Sequence, residues 1–158
     1  AGVALRKTLG DDLVRTQSRM ILTDGVALGY RYDGSPIVAP AGTAEPSDEP
    51  GVYRPTARPG HRAPHFWLPD GRSVLDLFGR GFVALRFGAA APDAMPLAEA
   101  AALRDVPLAV QDVADPAART LYENRLALMR PDGHVAWRGD DLPDDPLGLI
   151  DRARGAGN

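Results

Sequence analysis

The chain contains no cysteine. Disulfides, thiolate nucleophiles, iron–sulfur clusters and cysteine-ligated zinc are therefore excluded. Lysine is nearly missing as well: Lys7 stands alone among 18 basic residues, and the rest are arginine. The net charge is −3, and no basic block or basic amphipathic stretch occurs, so neither a nucleic-acid nor a membrane partner is expected. There is no apolar run of about 18 residues, the length a membrane span requires, and no signal-peptide pattern opens the chain; a cytoplasmic location is expected. Aromatic residues make up only 6%, so Ala, Leu and Val must fill most of any core. With 44% apolar and 25% charged residues over 158 positions, the chain suits one globular domain with an added arm.

What is present differs between the two halves. Leu5, Leu9 and Leu13 recur every fourth residue, which predicts a helix over 2–20 in spite of Gly10. The remaining faces of that helix are polar, and the leucine face needs something to pack against. The opening residues read as mid-helix, the expectation for a piece of a longer chain. Residues 26–38 read as extended chain ending in a turn at Asp33–Pro36. Residues 39–64 hold much of the proline, and Val52, Tyr53 and Trp67 punctuate the stretch, so an ordered but irregular arm is expected.

The second half is regular. Alternation predicts a strand over 82–87, and strands are also expected over 107–113, 126–130 and 135–138, the last two joined by a hairpin turn at Pro131–His134. Helices are predicted over 96–104, 115–123 and 144–154, with Pro in the first turns and Asp at the N-caps of the last two. The order β-α-β-α-β-β-α implies a parallel pair joined by a crossover, followed by an antiparallel hairpin and a covering helix. This is a thioredoxin-like α/β fold, with an N-terminal helix and an irregular extended arm.

A working thioredoxin mounts Cys-x-x-Cys after its first strand, where a helix N-terminus lowers a thiol pKa. Here that stretch is Gly88-Ala89-Ala90-Ala91-Pro92, in which no side chain is a nucleophile or a base. The proline expected before the third strand is replaced by Asn124 and Arg125. Thiol chemistry therefore has no physical basis. His61 and His65 lie four apart, but Pro59, Gly60 and Pro64 oppose the helix that would align them as metal ligands. His61 is expected to be exposed and His65 to hydrogen-bond a backbone group. Gly79-Arg80-Gly81 precedes a strand, not a helix, so it predicts a tight turn and no dinucleotide loop. Asp140, Asp141, Asp144 and Asp145 are explained by capping and solvation. Arg54, Arg58 and Arg62 are either solvated charge or anchors for carboxylates of a neighbouring domain.

Three stretches taken together, 28–38, 58–88 and 129–141, resemble the C-terminal domain of FAD-dependent aromatic-ring hydroxylases, the class that includes phenol and polyketide hydroxylases. The most specific parts are Pro59–His65, Asp70–Gly79 and Arg130–Arg138. The resemblance implies a non-catalytic accessory domain: residues 1–25 closing a preceding domain, 26–70 an extended docking arm, and 71–158 the thioredoxin-like domain. FAD and NAD(P)H are implied for the full-length parent and no cofactor, metal or catalytic residue for this part. The implied partners are the upstream FAD and substrate domains, with dimer contacts in some relatives. Arg31, Tyr32, Arg58, Arg62 and His65 are the candidate interdomain contacts. An independent thioredoxin-like binding module without redox activity is the alternative, favoured by a defined partner for the isolated domain. A self-contained enzyme using His61, His65 and His134 would require those histidines to converge in a cleft.

Overall fold

The structure, a computed structural model, describes residues 2–21, 23–42 and 44–156, without the side chains of 19–21. Positions 1, 22, 43, 157 and 158 of the expected domain ranges lie outside the described residues. The chain divides into two compact units, Ala1–Tyr30 with Glu45–Arg54, and Arg31–Ala44 with Pro55–Asn158. No helix among the described residues is long and apolar enough to cross a membrane.

The first unit holds helix α1 (Gly2–Ile21) and the short helix α2 (Asp24–Ala27). Gly10 sits inside α1 without breaking it. The extended chain expected from residue 26 is corrected here: Val26 and Ala27 donate to the Thr23 carbonyl and complete α2. Local helical hydrogen bonds set the conformation at that point. The Gly25 amide donates to Pro50 O at 3.0 Å, and a Cβ on Gly25 would overlap the Glu49 carbonyl, so the close approach of 45–54 requires a glycine. Arg54 pairs with Glu49 at 2.7 Å within this unit.

In the second unit, β1 (Phe82–Phe87), β2 (Leu108–Val113), β3 (Leu126–Met129) and β4 (Val135–Gly139) form one sheet in the order β2-β1-β3-β4. β1 and β2 are parallel, and the other pairs are antiparallel. Helices α3 (Met95–Ala102), α4 (Pro116–Tyr122) and α5 (Pro146–Ala153) alternate with the strands as the sequence predicts. Asp115 caps α4 through the Ala117 amide, and Asp145 caps α5 through the Gly148 amide, both at 2.8 Å, with Pro next in each case.

Strand period two distributes the core between the faces. Phe82 and Leu128 point to α3 and α5, against Leu97 and Ile150. Val83, Leu85 and Phe87 point the other way, to α4 and to Ala57, Ala63, Phe66 and Leu68 from the arm. Tyr122, Phe66 and Phe87 form a ring cluster there, with centroids 4.7 to 6.4 Å apart. Burying each such ring is worth about 2–3 kcal/mol. The Tyr122 hydroxyl donates to the buried Pro64 carbonyl at 2.8 Å.

The arm also covers one sheet edge. Gly60 N donates to Val135 O, Val135 N to His61 O and Ala63 N to Gly133 O, at 2.8 to 2.9 Å. Ala39 N reaches Ala136 O at 2.9 Å. The opposite edge, β2, is paired only with β1 among the described residues, and Val110 on it is exposed.

Candidate functional site

Two places bear on function: the turn after β1, and the arm along β4.

At the first, Phe87 ends β1 and Gly88 turns with φ +81°, its amide donating to Val113 O at 2.8 Å. Ala91 N closes the turn on Gly88 O at 3.1 Å. Two arginines hold the backbone beyond it. Arg86 donates from Nε to Pro92 O at 2.8 Å, from Nη2 to Ala91 O at 3.2 Å and from Nη1 to Asp112 at 2.6 Å. Arg125 donates from Nη1 to Ala90 O at 3.1 Å and from Nη2 to Asp141 at 2.9 Å. Three successive carbonyls are thus bound by guanidinium groups where a thioredoxin carries thiols. A shallow cleft of about 340 Å³ lies beside them, lined by Arg86, Gly88, Ala89, Asp112, Val113 and Ala114. It offers no nucleophile, and the one cation and one carboxylate facing it are paired with each other.

The acidic cluster is divided by function. Asp145 is the α5 cap, as expected. Asp140 is more than a solvated charge: it accepts from the Arg125 amide at 3.0 Å and from Arg119 Nη2 at 3.3 Å. The roles of Arg86 and Arg125 were not read from the sequence. Their only local signal is a charged residue at an otherwise apolar strand position, and another at the place of the missing proline.

At the second place the arm forms a polar network with the β3–β4 hairpin. Arg31 bridges His61 and Arg62 bridges His134 as isolated antiparallel pairs, and Tyr32 N donates to Gly60 O at 3.0 Å. The Tyr32 ring packs 4.7 Å from the His134 ring, under the Arg130 guanidinium at 5.9 Å, and its hydroxyl reaches Asp132 at 3.3 Å. Asp132 also accepts from Arg130 and from the His134 amide. Burial works to raise its carboxyl pKa, but the Arg130 hydrogen bond, the His134 amide and the nearby positive charge outweigh that and hold it below the usual carboxylate value.

Of the five candidate contact residues, the structure brings Arg31, Tyr32 and Arg62 into this network. Arg31 binds its near neighbour Asp33 at 3.0 Å, and Arg58 is 6% exposed. His65 lies apart from the network, exposed, with its ring edge-on to the exposed Trp67 at 4.7 Å. The histidine expectation is therefore reversed. His61 is buried, because its backbone pairs with Val135 and draws the residue against β4, whereas the alternation of 63–68 turns Phe66 and Leu68 inward and His65 and Trp67 outward. Among the described residues, no three His, Asp or Glu side chains come together as a metal-ligating group.

Residues 56–154 match the family described as aromatic-ring hydroxylase, C-terminal. Tetracenomycin B2 monooxygenase-dioxygenase of Streptomyces olivaceus is 40% identical over 154 residues, covering 90% of this chain and 28% of that enzyme. An FAD-dependent monooxygenase of Emericella nidulans is 38% identical over 125 residues, covering 75% of this chain and 20% of its own. The structure of the rebeccamycin biosynthetic enzyme RebC with reduced flavin is 44% identical with a TM-score of 0.84, over 99% of this chain and 29% of RebC. The chain spans less than a third of the length of each of these relatives. With its thioredoxin-like sheet, its arm and these matches in view, the chain belongs to the aromatic-ring hydroxylase family, as that family's C-terminal domain.

Proposed function

We propose that this chain is a non-catalytic accessory domain of an FAD-dependent aromatic-ring monooxygenase, whose flavin, NAD(P)H and substrate chemistry reside upstream of it. The observation that carries the reading is the inert turn at 88–92, where bound carbonyls replace a reactive group. The residues present do not fit a flavin. The glycines at 79–81 lead into a strand, and the Gly88 amide and the Arg86 guanidinium, which would have to receive a phosphate, are already bonded within the domain. The names of the relatives support FAD for the parent, and their greater length supports chemistry outside this region.

The arm at 26–70 serves as the docking element of this reading. Its inner side chains are buried in the sheet core, and His65 and Trp67, which turn outward, are the pair this reading assigns to meet the flavin and substrate domains. The test is titration of FAD fluorescence with the purified 158-residue chain. A colourless protein that leaves the fluorescence unchanged is expected; stoichiometric quenching, or NAD(P)H oxidation by the chain alone, would overturn the proposal.

A further inference from the structure

We infer that Asp33–Gly34, in the first turn of the arm, is a modification site: it converts to isoaspartate in the folded protein far faster than the other aspartyl–glycyl bonds of the chain. There are four such bonds, Asp24–Gly25, Asp33–Gly34, Asp70–Gly71 and Asp132–Gly133. The reaction is a dehydration followed by a hydration. The glycine amide nitrogen attacks the aspartyl Cγ, the carboxyl hydroxyl and the amide proton leave as water, and a five-membered succinimide forms. Water then adds to one of the two ring carbonyls. Opening at the α-carbonyl leaves the main chain running through Cγ, one methylene longer, with the α-carboxylate as the new side group. Atoms balance, no electron is transferred, and water is the only co-reactant. Glycine in the second position carries no side chain to hinder the attack, so the local sequence ranks the four bonds alike.

The fold separates them. The Gly25 amide donates to Pro50 O at 3.0 Å, the Gly71 amide to Leu68 O at 2.9 Å and the Gly133 amide to Arg130 O at 3.0 Å, and each must leave its acceptor before it can attack. The Gly34 amide donates to no backbone carbonyl among the described residues. The carboxyls differ as well, because the neutral acid is the form that loses water. The Arg72 amide and guanidinium hold the Asp70 pKa below its ordinary value. At Asp132, burial acts to raise the pKa, and Arg130 and the His134 amide outweigh it. Asp24 opens α2, where Leu28 N binds its carbonyl at 2.9 Å and fixes the backbone. Asp33 is bound by Arg31 at 3.0 Å, but that pair joins two residues of one turn and its carboxylate is exposed, so it protects little. Ser35 N closes the turn on Tyr32 O at a long 3.4 Å, and a Cβ on Gly34 would meet nothing within 4 Å, so ring closure meets no wall. Conversion lengthens the chain beside Tyr32, whose amide donates to Gly60 O and whose ring packs on His134. The modification therefore loosens the arm where it lies against β4.

The test is incubation of the folded 158-residue chain at neutral pH and physiological temperature. Isoaspartate is located in its tryptic peptides by enzymatic methyl transfer from S-adenosylmethionine and mass spectrometry. Accumulation at position 33 at least about tenfold faster than at 24, 70 or 132 is expected, since local structure protects the other three. In the chain unfolded in urea the four positions should convert at similar rates. Asp33→Glu keeps a carboxylate beside Arg31 but needs a six-membered ring, and should abolish the signal at 33 while leaving the other three unchanged. Equal rates at the four positions of the folded chain overturn the proposal, as does absence of isoaspartate at 33. A preference for 33 that persists undiminished in urea overturns it too, because the local sequence and not the fold would then be its source. Hydrogen exchange at the Tyr32 amide should quicken as the isoaspartate fraction grows; a rate independent of that fraction would overturn the effect on the arm.

Discussion

The two edges of the sheet are treated in opposite ways. Along β4, four backbone hydrogen bonds from residues 39 and 60–63 occupy the outer side, and Phe66 and Leu68 follow them into the core. Along β2 no such cover exists among the described residues, and Ala109, Val110 and Asp112 face outward. An uncovered edge is an open template for pairing, which natural sheets keep short or charged; β2 has six residues, and its Asp112 is bound by Arg86. The arm is therefore a structural part of the sheet at one edge, and the difference between the edges should appear in their tolerance of substitution.

Tyr122→Ala should have the largest effect, because it empties the ring cluster and frees Pro64 at once. A loss of about 3–5 kcal/mol is expected from the urea midpoint, and a loss below about 1 kcal/mol would mean that the arm is not knitted into the core. Gly60→Ala comes next. Gly60 holds φ +91°, and a Cβ there would lie 3.2 Å from the Tyr32 carbonyl oxygen; about 1–3 kcal/mol is expected, together with faster hydrogen exchange at the Val135 amide. Tyr122→Phe keeps the ring and removes only the donor to Pro64, for about 1 kcal/mol.

Acid tests the link between α3 and α5. Arg104, just after α3, and Arg154, just after α5, hydrogen-bond Asp151 and hold its pKa at about 2, below its ordinary 3.8, with burial opposing them. A carboxylate depressed in the folded state stabilises it fully above 3.8, and that contribution disappears as pH falls through about 2. Unfolding followed over that interval should show a slope that Asp151→Asn removes; an unchanged slope would assign it to other groups. The smallest effect belongs to the open edge. Val110→Lys should change stability by no more than about 0.5 kcal/mol, and a larger loss would show that β2 has a partner of its own.

The parts of the fold legible in the sequence are those specified locally. Asp115-Pro116 and Asp145-Pro146 start helices that begin where expected, and Phe82–Phe87 is a short apolar run broken only by Arg86, because both faces of the strand meet apolar layers. The arm was legible only as ordered chain. That Ala57 belongs to the core depends on residues far away in sequence, and the alternation that turns Phe66 and Leu68 inward covers only 63–68. The burial of His61 has the same origin, since the Val135 backbone decides it. At the turn after β1 the missing chemistry was readable from Gly88–Pro92, but the arginines that bind its carbonyls come from two different strand ends, Arg86 in β1 and Arg125 just before β3.

The reach of the core back to Ala57 has a consequence for exchanging this region between related hydroxylases. A junction placed just ahead of the first strand would leave Phe66, Leu68 and the carbonyl partner of Tyr122 with the wrong parent, and the transplanted sheet would lose one wall. Chimeras joined upstream of Ala57 carry their own wall with them.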